Sequence, residues 1–254
     1  MMVCAHPGDS NGPACGNGKR KRDNDEDRDR EDRSGWRFYG YLELDREEYE
    51  PAVVLVIGDS FIRRLQQFEH ETYGNYHNLG LLFDVAHVNW IGRGGLTVPS
   101  LRSRYLGAIR TLAPDVVVIQ VGSNDLCDPQ NSAALVSADI QFLVQNLHSY
   151  GVAEVIICQV LNRHGNGVPD GISPQDYNLR VSNFNATTRA ALSSYPSSRY
   201  WHHRGLWNNH CPVISRDGTH LNRFGNCLFY RSIRGAILHG VRRARRGLRR
   251  LPRQ

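Results

Sequence analysis

PAVVLVIGDSF, residues 51–61, reads as a strand that breaks sharply into a helix. Pro51 punctuates its start, and Ala52 to Ile57 form a continuous apolar, mostly β-branched run. Such a run fits a strand buried on both faces, as in a parallel sheet. It stops at Gly58-Asp59-Ser60, where glycine permits a tight turn at the strand's carboxyl end. In open α/β sheets ligands bind at that end. FIRRLQQFEH, residues 61–70, has helical character, so Ser60 stands at a helix start. Unpaired backbone N–H groups there favour negative charge. Two readings of Ser60 stay open at this point: a helix cap, or a nucleophile beside its own oxyanion donor.

The same alternation continues along the chain. FDVAHVNWIG (83–92) reads as a second strand, followed by the turn Gly92-Arg93-Gly94-Gly95. Residues 96–113 have helical spacing, with Leu101, Tyr105, Leu106, Ile109 and Leu112 on one stripe and Pro99 in the first turn. Val116 to Val121 is a third buried-type strand, ending in Gly122-Ser123-Asn124-Asp125. A helix over 132–150, a strand over 152–160, a flexible loop over 162–174, a helix over 175–194 and a short strand over 198–203 follow. The loop RDGTHLN (216–222) leads into a last helix over 223–241. Strand and helix in alternation predict a parallel sheet with helices on both faces, an α/β architecture. In such a sheet the loops after residues 57, 91 and 121 share one edge.

That edge gathers complementary groups. It holds the Ser60 hydroxyl, the close-approach backbone of Gly94 and Gly95, and the Asn124 side-chain amide. Asp217 and His220, three residues apart, can reach the same edge if their loop folds over the strand ends. A nucleophilic serine needs a base, the base needs an orienting acid, and a tetrahedral oxyanion needs donors. Taken singly, each group also has an ordinary role: a tight turn, a cap, a surface histidine. His87, His164, His202, His203 and His210 show no metal-ligand spacing, and neither metal nor cofactor is expected.

VVLVIGDSF, GRGGLT, VGSND and DGTHLN, in that order, make the chain resemble the SGNH hydrolases, the GDSL esterase/lipase superfamily. The resemblance covers roughly residues 52–240 and implies a three-layer α/β/α sandwich with a flavodoxin-like parallel sheet. It implies that Ser60 is the nucleophile, His220 the general base and Asp217 its orienting acid. The implied oxyanion donors are the N–H of Ser60, the N–H of Gly95, with Gly94 as fallback, and the side chain of Asn124. The implied activity is hydrolysis of carboxylic esters, acyl or acetyl, through an acyl-enzyme. Phe61 departs from the commoner leucine and removes no functional group.

Outside this region the composition changes. Three segments are expected: a disordered head (1–50), the esterase-type domain (51–240) and an Arg-rich tail (241–254). KRKRDNDEDRDREDR (19–33) has seven positive and seven negative side chains and no apolar one, so it cannot build a core. KRKR (19–22) reads as a solvated run or an import signal. The net charge is +6, and residues 242–253 carry seven arginines; six minus seven leaves −1 for everything else. Arg242, Arg243, Arg245, Arg246, Arg249 and Arg250 suit nucleic-acid phosphates or an acidic surface. This supports an alternative reading, a nucleic-acid- or membrane-associated accessory protein. The charged head and Arg-rich end resemble esterase-bearing proteins of retroelements, which implies such a role in a mobile element. No apolar run reaches membrane-span length, no apolar leader is seen, and the six cysteines form no CxxC pair. An intracellular location, cytoplasm or nucleus, is the expectation, in which the sequon Asn185-Ala186-Thr187 carries no meaning.

Overall fold

The computed structural model describes residues 50–74, 78–206 and 213–249. The charged segment 19–33, most of 36–50, Cys4, Cys15, Cys211, His210 and Arg250 lie outside them. β1 (Ala52–Gly58), β2 (Ala86–Gly92), β3 (Val116–Gln120), β4 (Glu154–Cys158) and β5 (Ser198–Trp201) form one parallel sheet, ordered β2-β1-β3-β4-β5. The connecting helices are α1 (Ser60–Tyr73), α2 (Val98–Leu112), α3 (Ala133–Ser149), α4 (Pro174–Leu192) and α5 (Arg223–Arg249). This is the three-layer, flavodoxin-like α/β/α arrangement that the alternation predicts.

The apolar run of β1 feeds two cores at once, because successive side chains point to opposite faces. Val54 and Val56 join Val116, Val118, Ile156 and Cys158 against α1 and α5. Leu55 and Ile57 join Val117, Ile119, Val155 and Ile157 against α2, α3 and α4. Each such side chain, fully buried, contributes about 1.5–3 kcal/mol relative to exposure. A polar residue at any of these positions would face a helix rather than water.

Register fixes where the loops leave the sheet. Gly58 pairs with Gly92 on one side and Gln120 on the other, so the loops after β1, β2 and β3 start level with one another. A Cβ at Gly58 would strike the Gln120 carbonyl and the Ile62 side chain. Glycine is therefore required for β1 to turn into α1 this close to β3.

Three elements differ from the sequence reading. The second strand starts at Ala86, not 83, because Val85 and Ala86 turn back onto the Leu82 carbonyl and leave Phe83 exposed. The last helix runs on to Arg249, eight residues beyond the expected end. Its buried stripe of Phe229, Ile233, Ile237, Val241 and Ala244 continues past the glycine at 240, and arginine is a good helix former. The loop over 162–174, expected to be flexible, is pinned in its first part. Asn178 on α4 donates its amide to the Arg163 carbonyl (2.9 Å) and accepts from the Arg163 N–H (3.0 Å). Asn185, one turn and more further on, holds Val160 the same way (2.9 and 3.0 Å). The asparagines that look out of place in a helix brace the chain leaving β4, and the sequon residue Asn185 is buried. Cys127, Cys158 and Cys227 carry free thiols. Among the described residues no helix is long and apolar enough to cross a membrane.

Candidate active site

Asp59, not Ser60, caps α1. Its carboxylate accepts from the Phe61 N–H at 2.9 Å, and Ser60 becomes the first helical residue. Of the two roles open to Ser60, capping is thus taken by its neighbour, which leaves the serine hydroxyl unspent. Ser60 Oγ lies 2.9 Å from Nε2 of His220. His220 Nδ1 lies 2.7 Å from Oδ2 of Asp217. With Nδ1 donating to the carboxylate, Nε2 is left as the acceptor that faces the serine O–H.

The loop bearing Asp217 and His220 folds over the strand ends through local bonds. Ile214 and Leu221 form an antiparallel bridge, and the Ser215 N–H donates to the His220 carbonyl at 2.7 Å. Asn222 accepts from the Gly225 N–H (2.8 Å) as α5 begins. The ring of Phe61 packs 5.8 Å from that of His220. Burial is the largest single influence on the Asp217 carboxyl and pushes it up. Four donors outweigh it: Ser215 Oγ, the His220 N–H, His220 Nδ1 and the Thr219 N–H. The carboxyl is held well below the usual range and stays ionised. Arg64 adds a longer, exposed ion pair at 3.7 Å.

The second and third loops approach from the neighbouring strands. Gly95 has φ +73° and open space where a Cβ would stand, whereas Gly94 has no such backbone demand. Asn124 follows β3 and is half-buried. Its Nδ2 donates to the carbonyl of Leu96, the residue after Gly95, at 3.1 Å. The Asn124 amide is thereby fastened to the glycine loop. Asp125 beside it accepts from the Val98 N–H (2.9 Å), a second tie between the two loops. Burial raises the Asp125 carboxyl to about 6 and that of Asp59 to about 7.

The remaining histidines stand apart from this chain of contacts. His203 is fully buried between Gln120 (3.0 Å) and Ser232 (2.8 Å), and burial lowers its imidazole to about 3, so it is a neutral structural group. His87 lies on β2, and the His164 N–H is tied to the Gly218 carbonyl. Sequence reading missed Arg163. Its side chain is 9% exposed and donates to Ser123, Asn124 and the Gly167 carbonyl. A lone arginine in a glycine-containing loop has no pattern to mark it.

A parallel α/β sheet with a hydrogen-bonded serine, histidine and aspartate at its carboxyl edge has the architecture of the SGNH hydrolases. The chain belongs to the GDSL-like Lipase/Acylhydrolase family, whose pattern matches residues 56–226. It is 28% identical over 156 residues to platelet-activating factor acetylhydrolase IB subunit alpha2 of Gallus gallus. That stretch is 60% of this chain and 59% of the relative, so the chain spans about three fifths of that protein's length. Its fold is shared with an acetylxylan esterase from Geobacillus stearothermophilus (TM-score 0.55, 15% identity, 75% of this chain and 96% of that one). It is also shared with a GDSL-like lipase from Bacteroides thetaiotaomicron (TM-score 0.55, 17% identity, 74% and 88%).

Proposed function

We propose that this chain hydrolyses carboxylic esters through an acyl-enzyme on Ser60. The observation that carries the reading is the unbroken path Ser60 Oγ–His220 Nε2 and His220 Nδ1–Asp217 Oδ2, at 2.9 and 2.7 Å. His220 takes the serine proton as Oγ attacks the ester carbonyl. Asp217 holds the imidazole tautomer and stabilises the cation that forms. The oxyanion lies against the N–H of Ser60 at the helix start, the N–H of Gly95 and the second hydrogen of Asn124 Nδ2. Collapse expels the alcohol, which leaves with the proton from His220. Water then attacks the acyl group by the same route in reverse. The relatives named for acetyl esters make short acyl esters the first substrates to try.

The test is labelling by a serine-reactive fluorophosphonate. Wild type is expected to label and Ser60→Ala to remain unlabelled while folded. Equal labelling of both, or none of either, would refute the assignment.

A second reading concerns the arginine end. Burial first, and then the positive charges of Arg243, Arg199, Arg242 and Arg246, hold the His239 imidazole below the usual value. We propose that this basic surface contacts nucleic-acid phosphates, as an accessory protein of a mobile element would. Val116 and Glu154, which meet this end of α5, open β3 and β4, and Val85 immediately precedes β2. The basic surface is therefore at the sheet edge opposite Ser60. A membrane held there would face away from the serine, which favours nucleic acid over a lipid substrate surface.

A further inference from the structure

We infer that Arg163 is the positioning residue that fixes which way the Asn124 amide faces, and so supplies the oxyanion site with its side-chain donor. The inference rests on the reading of the site given above. An asparagine amide is nearly symmetric in shape, and a half-turn exchanges its donor and acceptor. Toward a developing oxyanion one orientation attracts and the other repels. A guanidinium has five donors and no acceptor. Arg163 Nη2, 3.3 Å from Asn124, can therefore face only Oδ1. On the other side the Leu96 carbonyl, 3.1 Å away, can face only Nδ2. Two partners of opposite polarity clamp the amide, and one Nδ2 hydrogen is left over for a ligand.

Arg163 is itself held. Nη2 and Nε donate to Ser123 Oγ at 2.9 and 3.3 Å, and Nη1 donates to the Gly167 carbonyl at 3.2 Å. The guanidinium stacks 5.2 Å from the centre of the Tyr177 ring. The Gly167 carbonyl also accepts from Thr219 Oγ1 (3.1 Å), a residue between Asp217 and His220. The His164 N–H donates to the Gly218 carbonyl at 2.7 Å. A Cβ on Gly167 would run into Gly218, so the two loops meet through paired glycines. One short segment thus sets the donor on β3's loop in register with the base on the loop before α5. The charge of Arg163 also offsets that of the buried Asp59 beside the serine.

The test is a double-mutant cycle on the full chain, with p-nitrophenyl acetate as probe. Arg163→Met is expected to lower kcat by roughly tenfold or more, with KM moved less than about twofold, as for partial loss of an oxyanion donor. In an Asn124→Ala background the same change is expected to alter kcat by less than about twofold, because the amide it orients is gone. Equal losses in both backgrounds would overturn the inference, since a merely structural role gives that result. Wild-type kcat in Arg163→Met would overturn it too. If Arg163→Met fails to fold, Arg163→Lys replaces it in the cycle. Lysine places one donor where arginine places a fork, so a smaller loss confined to the Asn124 background supports the inference. A loss present in both backgrounds overturns it. Labelling of Ser60 separates the two readings. A wild type that neither labels nor hydrolyses overturns the reading of the site, and this inference with it. A labelled, active wild type with additive variants overturns this inference alone.

Discussion

Asp59 and Ser60 are neighbours in opposite surroundings. The serine opens toward His220, while the Asp59 carboxyl is buried with the Phe61 N–H. Burial raises Asp59 to about 7, from a usual value near 4. Between those two values the folded protein binds a proton that the unfolded chain has released. The stability this contributes is fully present below about pH 4 and is lost as pH rises through about 7. Asp59→Asn keeps the acceptor for Phe61 and carries no charge. It is expected to raise the melting temperature at pH 8 by several degrees and to flatten the fall seen in wild type between pH 5 and 8. Thermal melts at the two pH values check this. A variant that melts lower than wild type at pH 8 would mean that the ionised carboxylate is favoured by its surroundings.

At the scale of elements, α5 shows how a charged sequence is held in a fold. Its apolar stripe packs on β3 and β4, and Gly240 lets the helix come down on Val116. Arg243 leaves that stripe to donate to Glu154 at 2.7 Å and to the Pro196 carbonyl at 2.7 Å. The Glu154 side chain is only 4% exposed, and burial raises its carboxyl against the pull of Arg243. Arg243→Ala strands a buried carboxyl at the start of β4 and is expected to cost about 2 kcal/mol. Urea unfolding checks the figure, and Glu154→Gln in the same background should recover part of the loss. An Arg243→Ala variant as stable as wild type would show the pair to be a surface contact. The first residues of the arginine-rich end are also packed: Val241 and Ala244 belong to the core.

At the scale of the molecule, the parallel sheet separates two ends. Ser60, Gly95, Asn124 and the His220 loop gather where the strands finish, and Arg199, Arg242 and Arg246 lie where they start. Charge reversal at Arg242 and Arg246 is expected to leave ester hydrolysis within about twofold of wild type. It should weaken binding to single-stranded DNA and reduce the salt slope by about one unit per lost phosphate contact. Unchanged, salt-independent binding would remove the second reading. The sequence by itself determined much of this protein. The apolar run ending in Gly58-Asp59-Ser60, the alternation of strand and helix, and Ser60, Gly94 or Gly95, Asn124, Asp217 and His220 as candidates for one site are legible there. They are legible because strand burial and sharp turns leave local patterns. The tertiary structure alone decided that the Asp59 carboxylate caps while the Ser60 hydroxyl meets His220, how the Asn124 amide is turned, and that Arg163 contacts it. It also decided that the arginine end continues a packed helix. The clamp on the amide depends on groups far apart in the chain meeting at bonding distance: Asn124 lies 28 residues from Leu96 and 39 from Arg163. Hydrogen-bond polarity between such groups leaves no periodic trace in the order of the residues.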